Sequence, residues 1–227
     1  VYKDETIIAI IPARSGSKGI KDKNIYPING RPLISYTIDA AKGSRYIDYV
    51  MVSTDSKSIA DVARNCGADI PFMRPVELAL DTSRTVDAIV SALSMLQNLD
   101  KSYDILVLLQ PTSPLRTAED IDKAIELFYQ EGKKSLLSVS EVNENPVLMR
   151  RLNGNEAIPI LNVSSTVRRQ DFEKFYKVNG AIYINAIPEI NENTSFNDNE
   201  LGYVMDTSHC IDIDTLEDIR EAEKNLR

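Results

Sequence analysis

Three short stretches of the 227-residue chain carry the residue types that chemistry on a phosphate chain requires. The first is Pro12-Ala13-Arg14-Ser15-Gly16-Ser17-Lys18-Gly19, with Lys21, Lys23 and Asn24 just beyond it. Small residues let backbone N–H groups approach phosphate oxygens, and Arg14, Lys18, Lys21 and Lys23 can neutralise their charge. The spacing is neither a Walker loop nor a Gly-x-Gly-x-x-Gly fingerprint. The second stretch is Gln110-Pro111-Thr112-Ser113-Pro114-Leu115-Arg116. Its prolines stiffen the loop, and a Gln at the mouth of a strand can both donate and accept hydrogen bonds. The third is Ile211-Asp212-Ile213-Asp214-Thr215. Alternation along a strand puts Asp212 and Asp214 on one face, where they repel unless a cation lies between them. Oxygen donors without a Cys or His cluster suit Mg²⁺ (or Mn²⁺) bound together with nucleotide phosphates. Taken alone, an Asp-x-Asp before a helix reads more readily as Asp214 or Thr215 capping that helix. His209, the only histidine, is read as structural, and Asp55 as a cap or turn residue.

These stretches need elements to hold them. Residues 6–11 form a β-branched run ended by Pro12, the pattern of a strand buried on both faces. A strand over 49–53 and a helix with Ile59, Val62, Ala63 and Cys66 on one face follow, Gly67 closing that helix. Residues 84–99 read as a helix and 104–109 as a second buried strand that stops at Gln110. Thr117 is a plausible N-cap for the next helix, and 135–142 is another strand. This alternation predicts an α/β fold with a doubly wound, mostly parallel sheet, whose ligands bind beyond the carboxyl ends of the strands. From about 143 to 200 the chain reads as an excursion: a hairpin turning at Asn153-Gly154-Asn155, a basic loop, then a strand over 180–185. It returns through 201–205 and a strand at 211–214 to a final helix from Thr215. The whole of 1–227 is expected to be one domain.

Composition narrows the partners. With 43% hydrophobic and 26% charged residues the chain can bury a sizeable core, and no run of about 18 apolar residues predicts a membrane span. A net charge of −8, from 26 basic and 34 acidic residues, disfavours nonspecific nucleic-acid binding. Cys66 and Cys210 lack metal-cluster spacing, which with the absence of a signal-peptide pattern leads to a cytoplasmic, reducing setting as the expectation.

Together the motifs resemble the CMP-sialic acid synthetase family, the acylneuraminate cytidylyltransferases. The resemblance rests on the first loop with Lys23-Asn24, on Val52-Ser53-Thr54-Asp55, and on Arg74-Pro75-Val76-Glu77-Leu78-Ala79. It continues through the Gln110 loop, Asn179-Gly180-Ala181-Ile182-Tyr183-Ile184 and Ile211-Asp212-Ile213-Asp214, in family order along essentially the whole chain. It implies a nucleotide-diphospho-sugar transferase-like, Rossmann-type fold and CMP transfer from CTP to the anomeric 2-hydroxyl of an N-acylneuraminate. It implies that Arg14, Ser17, Lys18, Lys23 and Asn24 hold CTP, with Arg74 and Thr85 also on the nucleotide. Gln110, Arg169 and Tyr183 would face the acidic nine-carbon sugar, Arg169 pairing with its carboxylate. Asp212 and Asp214 would bind the metal, with Arg14, Lys23 and Asp214 catalytic. A homodimer is implied, each subunit lending its excursion to the partner's sugar site, with Phe196 one aromatic of that contribution.

Two departures fall on the sugar side. Leu148 stands where some members carry a lysine, and Ser195-Phe196 replaces two phenylalanines. They keep legionaminic or another nonulosonic acid as an alternative substrate for the same reaction. A metal-dependent glycosyltransferase and a nucleotide-binding regulator without catalysis are weaker readings. The first fits poorly with an Asp-x-Asp near the C-terminal end, the second with intact Arg14, Lys23, Asp212 and Asp214.

Overall fold

A computed structural model describes residues 1–17, 19–163, 166 and 172–226. The six-residue run Ile7–Pro12 (β1) has Ile7, Ala9 and Ile11 packing on one face of a sheet and Ile8 and Ile10 on the other, all five buried. Two short strands, Pro27–Ile28 (β2) and Arg31–Pro32 (β3), pair antiparallel and lead into Leu33–Gly43 (α1). Then follow Tyr49–Ser53 (β4), Lys57–Asn65 (α2), Thr85–Gln97 (α3), Ile105–Leu109 (β5), Ala118–Gln130 (α4) and Leu136–Glu141 (β6). The chain continues with the hairpin Arg150–Asn153 (β7) and Glu156–Pro159 (β8), then Tyr176–Ala186 (β9), Leu201–Val204 (β10) and Leu216–Asn225 (α5).

The main sheet is six-stranded in the order β10-β6-β9-β5-β1-β4. All its pairings are parallel except those of β9, which runs antiparallel to both β5 and β6. Apolar side chains of α1, α2 and α4 cover one face, and Val86, Ile89, Ala92 and Leu96 of α3 cover the other. A third cluster seats α5 through Ile219 and Ala222 against Ile20, Ile28, Leu33 and Ile213. Among the described residues no helix is long and apolar enough to cross a membrane, and Cys66 and Cys210 are free.

Local signals act as expected at the helix ends. Gly67 takes φ +85° just beyond α2, and Thr117 caps α4 in a reciprocal box with Asp120. Two expectations need correction. The strand over 180–185 belongs to the middle of the sheet, not to an excursion, because β9 inserts between β5 and β6 with Ala181–Asn185 buried. Its first half is exposed and polar, which hides it among the loops on either side. Residues 211–214 form no strand; they run alongside the Gln110 loop with a single backbone bond, from the Ile213 N–H to the Thr112 carbonyl (2.8 Å).

Candidate active site

β1 has β4 on one side and β5 on the other, so the chain leaves β1 and β5 in opposite directions across the sheet. A crevice opens beyond their carboxyl ends, the position at which such sheets bind ligands. A cavity of about 380 Å³ lies there. The first loop lines it with Arg14, Ser17, Gly19, Lys23 and Asn24. Arg74 and Leu78 close it beyond β4, Ser83, Arg84 and Thr85 at the start of α3, and Gln110, Pro111 and Thr112 beyond β5. Asp214 completes the wall. Thr85 is the first residue of the 13-residue helix α3, whose unpaired N–H groups favour an anion.

Each basic group is held by a specific contact. The Ser15 N–H and hydroxyl both donate to Asp55, the N–H at 2.8 Å, which ties the first loop to the end of β4. Desolvation works to raise the Asp55 carboxyl, but the Ser15 bonds outweigh it and hold it below the usual carboxylate range. Asn24 is buried and its amide donates to the Arg14 carbonyl (3.0 Å), fixing the loop from beneath. Arg74 is buried at the cleft floor, donating through Nη2 to the Ser53 carbonyl (2.7 Å), and burial pushes its guanidinium down to about 10. Arg14 pairs with Asp81 at 2.7 Å across the rim.

The acidic end is built by the C-terminal segment. Ile213 is fully buried between two exposed carboxylates, so Asp212 and Asp214 turn outward without a strand ladder. Asp214 Oδ1 and the Ile213 carbonyl both accept from Lys23 Nζ, at 2.9 and 2.8 Å. Asp212 bonds to Thr112 instead; desolvation first, and the like charge of Asp214 second, push its carboxyl up. Gly19 permits the approach of the two segments, since a Cβ there would lie 2.6 Å from the Asp214 carbonyl oxygen. No group of three or more His, Cys, Asp or Glu side chains is placed to hold a metal among the described residues. Two hard carboxylates beside a basic phosphate-sized cavity do fit an ion that takes its other ligands from substrate phosphates and water.

A second cavity, of about 340 Å³, adjoins the first through Arg84, Thr85 and Gln110. Tyr183 of β9 and Phe196 form its apolar wall, their ring centroids 6.0 Å apart, and the Tyr183 hydroxyl donates to Asn197 (2.7 Å). Asn193, Thr194 and Ser195 add polar edges. Buried Arg116 holds the wall together: its Nη1 donates to the Gln110 carbonyl (3.1 Å) and to the Ala181 carbonyl (3.0 Å). Gly180, at φ +77°, lies against the Gln110 amide, where a Cβ would stand 3.2 Å from Oε1.

Of the residues singled out in the sequence, Arg14, Ser17, Lys23, Asn24, Arg74, Thr85, Gln110 and Asp214 meet around the first cavity, and Gln110, Tyr183 and Phe196 around the second. Asp212 stands beside the first without lining it. Phe196 lines its own chain's cavity. Lys18 and Arg169 lie outside the described residues. His209 is elsewhere, its Nδ1 2.8 Å from Asp120 Oδ2. Asp55, Arg84, Arg116 and Asn197 were not singled out for the site. Of these, Asp55 had a legible signal, a carboxylate at the end of a strand next to the phosphate loop.

A cytidylyltransferase family model matches residues 8–197. The chain is 40% identical over 222 residues to the CMP-N,N'-diacetyllegionaminic acid synthase of Legionella pneumophila, covering 96% of this chain and 95% of that protein. It is 36% identical to the N-acylneuraminate cytidylyltransferase of Escherichia coli over 92% of this chain, but spans only 49% of that protein's length. To the pseudaminic acid cytidylyltransferase of Campylobacter jejuni it is 33% identical, covering 95% and 94%. Among solved structures, CMP:2-keto-3-deoxy-manno-octonic acid synthetase complexed with CTP superposes with a TM-score of 0.73 at 17% identity, covering 96% of this chain and 97% of that one. That last likeness is one of fold.

Proposed function

The chain belongs to the cytidylyltransferase family, and from that premise we propose that it transfers CMP from CTP to the anomeric 2-hydroxyl of a nonulosonic acid, N-acylneuraminate first, releasing pyrophosphate. The observation that carries the reading is the pair of adjoining cavities. One is lined by Arg14, Lys23 and Arg74, as a triphosphate needs; the other by hydroxyls, amides and two aromatic rings, as a polyhydroxylated N-acyl sugar needs.

In this reading the sugar hydroxyl attacks the α-phosphorus in line, the new P–O bond forming as the bond to the bridging oxygen of pyrophosphate breaks. Arg14 and Lys23 neutralise the charge that builds on the phosphate oxygens, and the N-terminus of α3 adds partial positive charge. Gln110 and Tyr183 orient the sugar. Asp212 and Asp214 would hold Mg²⁺ (or Mn²⁺), which when bound supplies Lewis-acid neutralisation of the phosphates. One of these two carboxylates takes the proton that the hydroxyl loses. Lys18 and Arg169 keep the roles on CTP and on the sugar carboxylate that the family resemblance gives them.

The 40% identity to a legionaminic acid enzyme, with Leu148 in place of a lysine, favours a diacetylated nonulosonic acid as a second reading of the sugar. We also read the chain as a cytoplasmic homodimer. Exposed Leu148, Met149, Leu152 and Ile160 around the β7–β8 hairpin support a covered face. Pyrophosphate release from CTP, Mg²⁺ and a panel of N-acylneuraminic, legionaminic and pseudaminic acids tests the reaction. Silence with every acid would remove the proposal, and chelation by EDTA should abolish turnover that Mg²⁺ restores.

A further inference from the structure

The reaction proposed above, on which this inference rests, constrains where the sugar's own charge lies. In a 2-ulosonic acid the carboxylate is attached to the same carbon that bears the attacking hydroxyl. A cation within charge-assisted hydrogen-bond range of that carboxylate, about 2.7–2.9 Å, therefore stands next to the reacting oxygen. It must line both the nucleotide cavity and the sugar cavity.

Three side chains line both: Arg84, Thr85 and Gln110. Only Arg84 is charged. Arg14, Lys23 and Arg74 line the nucleotide cavity alone, and among the described residues Arg84 is the one charged group on the sugar cavity. It occupies the position immediately before α3, where the helix N-terminus adds to the attraction for an anion. Its side chain is 60% exposed and held in a defined plane. Nε donates to Asp87 Oδ2 at 3.0 Å and Nη2 to Asp87 Oδ1 at 2.5 Å, both bonds on one edge of the guanidinium. A guanidinium has five N–H donors in a fixed fork, so the outer edge, Nη1 with the second Nη2 proton, is left for a bidentate carboxylate. Among the described residues the rest of the sugar cavity offers only neutral groups, so Arg84 is the one positive partner they present to an acid, at the junction where the chemistry occurs.

We propose that Arg84 binds the carboxylate of the acceptor sugar, with Asp87 as the positioning residue that aims its free edge. This adds a second cation to the one that the family resemblance assigns at Arg169.

The test compares wild type, R84Q and R84K on the nonulosonic acid that wild type uses best and on that acid's C1 amide. R84Q is expected to raise the sugar KM tenfold or more with the CTP KM within twofold. The preference for acid over amide, in kcat/KM or in Ki where the amide is not turned over, should fall by a similar factor, with R84K between. A CTP KM that rises as much as the sugar KM would make Arg84 a phosphate ligand and overturn the proposal, as would an intact acid preference. Should R84Q fail to fold by circular dichroism, D87N is read in its place: it keeps the charge but frees the side chain. A several-fold loss of acid preference supports the assignment, and no loss overturns it. A wild-type protein inactive on every nonulosonic acid would sink the function and this assignment with it. Active wild type with an unaltered preference in R84Q sinks the Arg84 assignment alone.

Discussion

Lys23 Nζ lies 2.9 Å from Asp214 Oδ1, joining the loop after the first strand to the segment before the last helix across 191 residues of sequence. The same ammonium reaches the Ile213 carbonyl, and the Ile213 N–H reaches the Thr112 carbonyl, so three loops meet in one chain of contacts. The cleft is thereby closed by three segments that lie outside the strands of the main sheet. The acidic and basic halves of the chemistry are fixed relative to each other by that contact.

Asp214→Ala should separate function from stability. The Asp214 side chain is 74% exposed, and Lys23, though largely buried, keeps its bond to the Ile213 carbonyl, so loss of the pair should cost about 1 kcal/mol or less of folding stability. Loss of a carboxylate at the phosphate site should lower pyrophosphate release at least about a hundredfold. Urea melts and a pyrophosphate assay on one preparation check both halves; near-normal turnover would remove Asp214 from the metal site.

Asp55 makes a prediction that depends on pH. Its carboxyl lies below the ordinary aspartate value because, against desolvation, the Ser15 bonds favour the charged form. A carboxylate depressed in the folded state contributes stability above its unfolded value, roughly pH 4, and loses it as pH falls through the lower folded value. Asp55→Asn should therefore cost about 1–3 kcal/mol at pH 7, with the gap to wild type narrowing below about pH 4. The loosened loop should also raise the CTP KM several-fold. A gap that stays constant down to pH 3 would mean that the charge of Asp55 is not what holds Ser15.

Much of this arrangement is legible in the sequence because strands buried on both faces leave an unmistakable apolar run. Ile7–Pro12 and Ile105–Leu109 announce themselves, and the loops that follow them must then lie side by side at the crevice. β9 is not legible in the same way. Its leading half, with Tyr176 and Val178 exposed, carries no burial signal, and the register shift between Leu137 and Val139 on its partner breaks the alternation. Residues 211–214 mislead for the opposite reason: buried Ile213 between two outward carboxylates gives strand-like alternation with a single backbone bond in place of a ladder. Arg116 escapes notice because its partners are backbone carbonyls of the Gln110 loop and of β9, which no side-chain pattern reports.

Arg116→Met tests the clamp between the Gln110 loop and β9. Burial pushes the guanidinium down to about 9, although Asp120 works against the shift, so the residue is held at a cost in solvation. The Nη1 bonds to the Gln110 and Ala181 carbonyls are what it gains. Methionine keeps much of the volume and removes both bonds, for an expected loss of about 1–3 kcal/mol. Because Gln110 moves with its backbone, the sugar KM should rise more than the CTP KM. Equal changes in the two would reduce Arg116 to a purely structural role.

Gly180→Ala and Gly154→Ala together isolate the contact behind Gln110. Both glycines sit in the left-handed region, at φ +77° and +59°, so each alanine should cost about 1–2 kcal/mol from backbone strain alone. They differ in what surrounds them. Nothing lies within 4 Å of a Cβ at Gly154, whereas one at Gly180 meets the Gln110 amide at 3.2 Å. The two variants should therefore lose similar stability in urea. Only Gly180→Ala should raise the sugar KM, by about tenfold if the displaced amide forfeits one hydrogen bond of about 1.4 kcal/mol. If Gly154→Ala raises it as much, the effect comes from general destabilisation and Gln110 has no special place on the sugar wall.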